Sequence, residues 1–246
     1  MAPHPYFSPS AKPQGYHQLH QHEQSEPVKQ ILAQTVGKQY MKQKAEITGM
    51  ALCCFAIITQ FILMMQNRQA NVIETIIRFF SFFTILTNLL VCMYFTTKVF
   101  RWSRFPFSLF NSKGTLTAIT SFILIVGLVY QVVLRDLWTP TGLQFMVDEL
   151  LHTVIPLFVL VYWFLIVKAA DLNLKSVSIW LLYPIFFLLF ILIRGSFSNF
   201  YPYPFLNVAK IGYQQTFTNT GIIFCVTLIV MGSLLFFGKI LTKNQL

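Results

Sequence analysis

The chain has 246 residues, of which 55% are hydrophobic and only 11% are charged. Soluble domains carry about 25% charged residues, so the composition excludes an ordinary soluble domain and indicates a helical integral membrane protein. The net charge of +10 does not indicate nucleic-acid binding, because the basic residues are spread between apolar runs instead of forming one patch.

The first 45 residues are rich in Pro, Gln, His, Ser and Lys. Such a segment cannot bury a core, so a disordered tail is predicted over residues 1–45, with a short basic surface helix over residues 28–44. The tail histidines His17, His20 and His22 do not predict a metal site, because a flexible tail does not preorganise ligands. The first apolar run starts only near Ile47, which argues against a signal peptide.

Six apolar runs of membrane-spanning length follow the tail. The predicted fold is therefore all-α, a polytopic membrane protein with six transmembrane helices, a membrane domain at residues 46–240 and a short cytoplasmic end at residues 241–246. The runs lie near residues 47–65, 79–97, 115–134, 150–167, 177–193 and 217–237.

The basic residues predict the orientation of the six spans. If the N-terminus is inside, thirteen of the 18 Lys and Arg residues lie in inner segments and five in outer ones. The positive-inside rule then predicts a multi-pass protein of the cell membrane with both termini in the cytoplasm. The loop "KVFRWSRFPFSLFNSK" is the strongest inner signal.

Span 2, "RFFSFFTILTNLLVCMYF", carries an unusual number of polar side chains. Polar groups at membrane depth usually mark a function or a hydrogen bond between helices. At helical spacing, one face of the span is predicted to carry Ser81, Thr84, Thr87 and Asn88.

Span 4, "DELLHTVIPLFVLVYWF", carries His152, which is the only histidine outside the tail. Asp148 and Glu149 precede it by one helical turn, so either carboxylate could orient the imidazole ring. Alternatively, they end a helix in water with the charge that suits its N-terminus. Pro156 cannot donate a backbone hydrogen bond to the carbonyl of His152, which predicts a kink and a local opening at this turn.

Topology predicts that these residues meet. Both spans run from outside to inside, which places Thr84 roughly 9 Å and His152 roughly 5 Å below the outer surface at 1.5 Å per residue. Arg194 ends span 5 at the same level, and Tyr201 and Tyr203 lie just above it, where aromatic belts form. The inner half of the membrane domain is expected to be mostly apolar.

A hydroxyl near a histidine is the minimum for acyl transfer, in which His152 takes the proton of Thr84 and the oxygen attacks an ester. Asn88 or Arg194 could stabilise a carboxylate or an oxyanion. Alternatively, Thr84 bonds only its own backbone and Arg194 only caps its span. No haem pair, catalytic zinc set, GxSxG or nucleotide-binding loop occurs, so no cofactor or metal is predicted. The four cysteines are interpreted as packed thiols.

The chain resembles the bacterial Pr-six-Pr family of six-span membrane proteins over about residues 47–240. The segments that carry the resemblance are "FFSFFTILTNLL", "DELLHTVIPLFVLVYW", "WLLYPIFFLLFILIRGSFSNFYPYPFLNV" and "NTGIIF". That family is distantly similar to the androgen-induced group of eukaryotic membrane hydrolases, which cleave fatty acid esters of hydroxy fatty acids with a membrane-embedded Thr and His. The resemblance implies that Thr84 in "FFTIL" is the nucleophile and His152 in "LLHTVIP" is the base.

Two functions from different classes follow. The first is an intramembrane threonine hydrolase of fatty acyl esters, with membrane lipids as partners and with Arg194 as the anchor for a substrate carboxylate. The second is a non-enzymatic membrane protein, either a small transporter or a lipid-binding or sensing module, in which the polar cluster is a ligand or proton site. A third interpretation makes the cluster a set of interhelical hydrogen bonds only. A short distance between Thr84 and His152 in a cavity would favour the first.

Overall fold

The computed structural model describes residues 25–137 and 139–243. No β-strand occurs among them, and six of their helices are long and apolar enough to cross a membrane. The chain thus has the all-α architecture of a polytopic membrane protein, as its sequence predicts. It divides into two compact units, residues 1–43 and residues 44–246. The candidate site lies in the second unit.

The helices of the described chain follow one another with short connections. They are α1 (Ser25–Gln66), α2 (Val72–Phe79), α3 (Phe83–Phe100), α4 (Thr115–Val129), α5 (Gly142–Glu149), α6 (Ile155–Ile166), α7 (Leu174–Ser178), α8 (Leu182–Ser198) and α9 (Val208–Lys243). Span 1 is formed by α1, span 2 by α3, span 3 by α4 and its continuation to Leu137, span 4 by α5 and α6, span 5 by α7 and α8, and span 6 by α9. All six predicted spans are therefore confirmed.

Part of the predicted tail is helical. Helix α1 begins at Ser25, so the short helix predicted over residues 28–44 is present as the first part of a longer helix, and the disorder predicted for residues 1–24 lies outside the described part of the chain. The segment is rich in Gln and Lys, which are good helix formers. Because extending an existing helix is far easier than nucleating one, α1 continues from the apolar span into this polar segment.

Span 2 begins later than its apolar run suggests. Helix α2 is a separate short helix, whose N-terminus is capped by the Asn71 side chain accepting from the Glu74 N–H at 2.9 Å. The chain then turns at residues 80–82 before α3 begins. Ser81 lies in this turn, and its hydroxyl donates to a carbonyl one helical turn earlier at 2.7 Å. The predicted alignment of Ser81 with Thr84 on one face of span 2 is therefore wrong.

Span 3 is the central helix of the second unit. In its most apolar window 67% of the residues are buried, against 11% in span 5. It packs against spans 2, 4 and 6, and Phe122 and Ile123 on it are completely buried. Within hydrocarbon such packing is stabilised by close van der Waals contact, since lipid tails are as apolar as the side chains. Span 5, by contrast, is peripheral and mostly exposed.

Two helical turns in spans 3 and 4 are widened to π-helix, at Tyr130–Leu134 and at Leu150–Val154. The second one precedes Pro156, which lies in the first turn of α6 and has no N–H to donate. The N–H of Ile155 donates to the carbonyl of Leu150, five residues earlier. The irregular turn that Pro156 predicts is thus a π-turn, a form that is frequent at functional sites.

Helix α9 contains one break. Gly212 has φ 74° and ψ 167° and is not helical. This left-handed region of φ is open to glycine without strain, because glycine has no Cβ. The turn at residues 208–211 is consequently separate from span 6 proper, which begins after Gly212 with the polar residues 213–216.

Candidate functional site

Thr84 lies in the first turn of α3, where helical N–H groups have no partner within the helix. Its backbone N–H donates to the hydroxyl oxygen of Tyr203 at 3.2 Å. Its own hydroxyl lies 3.4 Å from the same Tyr203 oxygen. Tyr203 belongs to the loop between spans 5 and 6, and both residues are buried. A loop residue therefore satisfies the helix terminus and at the same time contacts the threonine hydroxyl.

His152 faces Thr84 across the interface of spans 2 and 4. The Thr84 Oγ1 and His152 Nε2 atoms are 3.3 Å apart, and both side chains are buried. The two residues are separated by 68 positions in the sequence. The structure thus brings together the two residues that the sequence pairs, at a hydrogen-bonding distance.

The second ring nitrogen of His152 fixes the tautomer. Nδ1 lies 2.9 Å from the backbone carbonyl oxygen of Asp148 and 3.4 Å from its carboxylate Oδ1. Both of these oxygens are acceptors, so Nδ1 carries the proton and donates. In the neutral ring Nε2 is then unprotonated and accepts from the Thr84 hydroxyl. This is the protonation pattern that a general base requires.

Tyr130 and Gly127 of span 3 hold the histidine from its other side. The Tyr130 ring stacks on the imidazole, with centroids 4.1 Å apart and planes inclined by 15°. A Cβ added to Gly127 would lie 3.0 Å from the carbonyl oxygen of His152 and 3.4 Å from a ring carbon of Pro156. Span 3 can approach the π-turn this closely because position 127 has no side chain. The sequence alone gave no reason to select either residue.

A cavity of about 640 Å³, here called the vestibule, lies on the His152 side of the pair, and its mostly apolar walls include several polar side chains. Both Thr84 and His152 line it. Two of its amides, Gln60 on span 1 and Gln144 on span 4, are hydrogen-bonded to each other at 2.8 Å. Its other polar lining side chains include Asn67, Arg68, Gln69 and Asp148.

A second, smaller cavity of about 120 Å³, here called the apolar pocket, lies between spans 2, 3, 5 and 6. Its lining includes Val126, Val129, Ile185, Leu188, Ile223 and Phe224. Thr84, Leu134 and Tyr203 line both cavities, whereas His152 lines the vestibule alone. Thr84 is thus positioned at the junction between a larger cavity that contains polar side chains and a smaller cavity that is almost entirely apolar.

Asn88 has a structural position below the pair. Its amide nitrogen donates to the carbonyl of Thr84 at 2.9 Å and to the carbonyl of Leu151 at 3.3 Å. It lines neither cavity. Asn88 therefore ties span 2 to the π-turn of span 4, and its amide donors are directed away from a substrate oxygen.

The two acidic residues of "DELLHTVIP" have different partners. Asp148 is buried and turned toward His152, as described above. Glu149 points away from the ring, since its carboxylate pairs with Arg135 at 2.7 Å and accepts from the Thr153 hydroxyl at 2.8 Å. Of the two carboxylates that could orient the imidazole, only Asp148 is placed to do so.

Arg194 and Tyr201 lie away from the reacting pair, and neither lines the vestibule or the apolar pocket. The guanidinium of Arg194 pairs with Glu74 at 2.6 Å, a carboxylate that it shares with Arg78, and it lies over the Phe200 ring. Tyr201 packs its ring against Gly195. This geometry argues against the predicted role of Arg194 as an anchor for a substrate carboxylate.

The opposite end of the second unit is less apolar than its sequence suggests. Glu46 is buried there and accepts a hydrogen bond from the Tyr162 hydroxyl at 2.9 Å. The Trp163 indole donates to the Thr117 hydroxyl at 3.0 Å. The expectation of a mostly apolar inner half is corrected by these groups. The burial of Glu46 is not predicted from the sequence because this residue lies just before the apolar run, where a charged residue is expected at the membrane surface.

Within the described residues, no group of three or more His, Cys, Asp or Glu side chains is arranged to hold a metal ion. Comparison of the chain with protein-family models, with curated proteins and with solved structures yields no match. The geometry of the Thr84–His152 pair and of its two cavities is therefore the basis for a functional assignment.

Proposed function

We propose that the chain is an intramembrane hydrolase of lipid esters in which Thr84 is the nucleophile and His152 is the general base. The observation that carries the proposal is the 3.3 Å contact between Thr84 Oγ1 and His152 Nε2 at the junction of two cavities. A nucleophilic hydroxyl, a base and a group that orients the base are the parts that acyl transfer needs. Asp148 supplies the third part.

In the first half-reaction Nε2 of His152 takes the proton of the Thr84 hydroxyl while Oγ1 bonds to the ester carbonyl carbon. The carbonyl π-electrons move onto oxygen, and the tetrahedral intermediate then expels the alcohol oxygen. The bond between the carbonyl carbon and that oxygen breaks, and His152 returns its proton to the leaving alkoxide. The products of this step are a free alcohol and an acyl ester on Thr84.

In the second half-reaction a water molecule from the vestibule gives a proton to His152 and attacks the acyl carbon. The bond between this carbon and Thr84 Oγ1 breaks, and His152 returns the proton to Oγ1. A carboxylic acid leaves, and the resting pair is restored. Water can reach His152 from the vestibule because His152 lines this cavity together with polar side chains such as Gln144 and Asp148.

Tyr203 is the donor for the developing oxyanion. Its hydroxyl oxygen already accepts from the Thr84 N–H, and because the Thr84 hydroxyl donates to His152, the Tyr203 hydroxyl hydrogen is directed at Thr84 Oγ1. From there it can be donated to the oxyanion that forms next to Oγ1. Burial raises the pKa of Tyr203, so the hydroxyl remains protonated at neutral and moderately alkaline pH. Donors of this kind stabilise the transition state more than the ground state. The role first considered for Asn88 or Arg194 is thereby assigned to Tyr203.

The experiment uses the purified full chain in nanodiscs and a panel of acyl esters. Wild type is expected to hydrolyse at least one ester, and Thr84→Ala and His152→Ala are expected to lose at least about 10³-fold in rate. Thr87→Ala is the matched control, since Thr87 is a buried threonine of the same helix that bonds the Tyr183 hydroxyl instead. Equal rates for Thr84→Ala and Thr87→Ala would rule out this nucleophile.

A second candidate function is transport coupled to protons. It is favoured by the buried carboxylates Asp148 and Glu46, which lie toward opposite ends of the second unit. Ionisable groups at membrane depth commonly mark ion pathways. A proton flux into liposomes that depends on His152 and Glu46, without ester hydrolysis by the same preparation, would replace the first candidate by this one.

The same proposal includes an orientation. Thirteen of the 18 basic residues lie in the segments assigned to the inside, so both termini are placed in the cytoplasm and the Thr84–His152 pair faces the outer leaflet of the cell membrane. Cysteine accessibility in whole cells tests this arrangement. A single cysteine at Gln69 should react with an impermeant maleimide, whereas one at Ser103 should not.

A further inference from the structure

We propose that the apolar pocket is the binding site for the acyl chain of the substrate and that the vestibule takes its alcohol part. This inference rests on the proposed hydrolysis and specifies the substrate as an ester of an apolar acyl chain with a polar alcohol. Its basis is that Thr84 lines both cavities, whereas His152 lines only the vestibule.

The proton that the leaving alcohol needs fixes the direction of the substrate. His152 takes a proton from Thr84 and must return it to the alkoxide, so the alcohol oxygen has to lie within reach of Nε2. His152 lines the vestibule and does not line the apolar pocket. The alcohol part therefore leaves through the vestibule, and the acyl chain extends from Thr84 in the other direction, into the apolar pocket.

The walls of the apolar pocket suit a hydrocarbon chain. Thr220 and Thr227 line it, but their hydroxyls donate to backbone carbonyls one turn earlier, both at 2.8 Å. Neither hydroxyl hydrogen is therefore available to a ligand. The remaining lining residues of spans 3, 5 and 6 are aliphatic, aromatic or proline side chains. A polar group placed there, away from Thr84 and Tyr203, would lose its hydrogen bonds to water and meet no free donor.

The volume of the apolar pocket determines how many carbons of the acyl chain it can hold. Its roughly 120 Å³ is slightly less than a dry cavity of about 150 Å³ that holds one benzene molecule, so it fits on the order of four to six carbons. Ile185 of span 5, which is 42% exposed, belongs to the lining. Span 5 is also the least buried of the six spans. A longer chain can consequently pass Ile185 and continue into the surrounding lipid.

The vestibule suits a larger and more polar group. It is about five times as large as the apolar pocket, at about 640 Å³ against about 120 Å³. Its lining includes four amides and two guanidiniums, namely Gln60, Gln144, Asn67, Gln69, Arg68 and Arg78. The amide nitrogens of Gln144, Asn67 and Gln69 each donate to one protein oxygen and keep a second hydrogen. Hydroxyl or anionic groups on the alcohol part would find hydrogen-bond partners there.

The test compares two adjacent isoleucines of span 6. Ile223 lines the apolar pocket, whereas Ile222 is 59% exposed on the outside of the helix. Ile223→Trp fills the pocket and should lower the ratio of octanoyl to acetyl ester hydrolysis by about tenfold or more, since each misfitted methylene in a pocket costs about tenfold. Ile222→Trp should leave this ratio unchanged. Umbelliferyl esters of acetic, butanoic, hexanoic and octanoic acid are the substrates.

The vestibule is tested with a second matched pair on span 1. Leu63 lines the vestibule, and Ile62 is 48% exposed on the outside. Leu63→Trp should lower the hydrolysis of glyceryl monohexanoate relative to methyl hexanoate, with the preference among acyl chains unchanged. The inference is overturned if Leu63→Trp alters the acyl preference and Ile223→Trp alters the alcohol preference, or if Ile223→Trp and Ile222→Trp behave alike.

A binding readout separates this inference from the hydrolysis on which it rests. The probe is hexanoic acid carrying a diazirine, photolysed with the Thr84→Ala protein, which cannot turn over an ester. Labelling should be lost when Ile223→Trp is added and retained when Ile222→Trp is added. If wild type cleaves no ester, the proposed hydrolysis fails, and equal labelling of the two tryptophan variants would then also reject the acyl site.

Discussion

Removal of one oxygen atom, in Tyr203→Phe, should affect both the rate and the stability of the protein. The ring itself is kept, and with it the stacking on Phe205 and the edge contact with Phe82. The variant loses the acceptor of the Thr84 N–H, which is buried at the start of α3. Leaving a buried donor without a partner costs about 1–3 kcal/mol of stability.

The same hydroxyl is the proposed hydrogen-bond donor to the oxyanion. Loss of one such donor lowers kcat by about 10²–10³-fold, which corresponds to roughly 2.7–4 kcal/mol of transition-state stabilisation. Because the interaction forms in the transition state, KM should change by no more than about twofold. Steady-state hydrolysis of the umbelliferyl hexanoate ester measures kcat and KM, and thermal unfolding in detergent measures the stability.

The matched control is Tyr201→Phe, which removes a hydroxyl from the same loop at a position outside both cavities. It should leave kcat within about twofold of wild type. A Tyr203→Phe protein with unchanged kcat, or with a loss confined to KM, would refute the role of Tyr203 as a donor to the oxyanion. A loss of stability alone would leave this tyrosine with a purely structural role.

Three further predictions follow from the surroundings of the pair. Asp148→Asn should lower kcat by about tenfold, and by no more than that because the backbone carbonyl that also accepts from the imidazole is kept. Glu149→Gln should change kcat less than twofold. Steady-state ester hydrolysis measures both. Gly127→Ala should push the π-turn out of place and cost about 1–3 kcal/mol, while Gly232→Ala, where a Cβ would meet no atom within 4 Å, should be neutral in thermal unfolding. Arginine partners lower the pKa of Glu74. Its ion pairs therefore stabilise the fold above the ordinary glutamate pKa, and this contribution is lost as the pH falls through the lowered pKa. Glu74→Gln should reduce Tm at neutral pH and have the same Tm as wild type in strong acid.

The six spans and their pairing could be predicted because they depend on properties that are local in the sequence. Apolar runs of sufficient length give the spans, and the alternation of direction places the starts of spans 2 and 4 at the same level. That is why Thr84 and His152 could be paired across 68 positions. Pro156 likewise predicts an irregular turn, since the missing N–H is a covalent property of one residue.

Side-chain partners could not be predicted in the same way. Arg194 forms an ion pair with Glu74, and Glu149 forms one with Arg135. Each choice depends on the rotation of a helix and on which neighbour supplies the opposite charge. Neither the rotation of a helix nor the identity of the neighbouring charge can be deduced from a single sequence.

Tyr203 and Gly127 show a related limit. Tyr203 is 119 positions from Thr84, and its loop reaches into the helical bundle only once spans 5 and 6 are placed. Gly127 matters because of a close approach between two helices. Nothing in the residues that flank it distinguishes this glycine from one that faces lipid. The sequence selects Tyr203 as a candidate site residue, but its contact with Thr84, like the close approach at Gly127, is visible only when the three-dimensional packing is known.

The central claim is that Thr84 is a nucleophile activated by His152. Its most direct test is the site of the covalent adduct formed by a fluorophosphonate probe on the full chain, located by peptide mass spectrometry. The prediction is an adduct on Thr84 that disappears in Thr84→Ala, falls at least about 10²-fold in rate in His152→Ala and persists in Thr87→Ala. An adduct on another residue, or labelling that persists in Thr84→Ala, would contradict the claim.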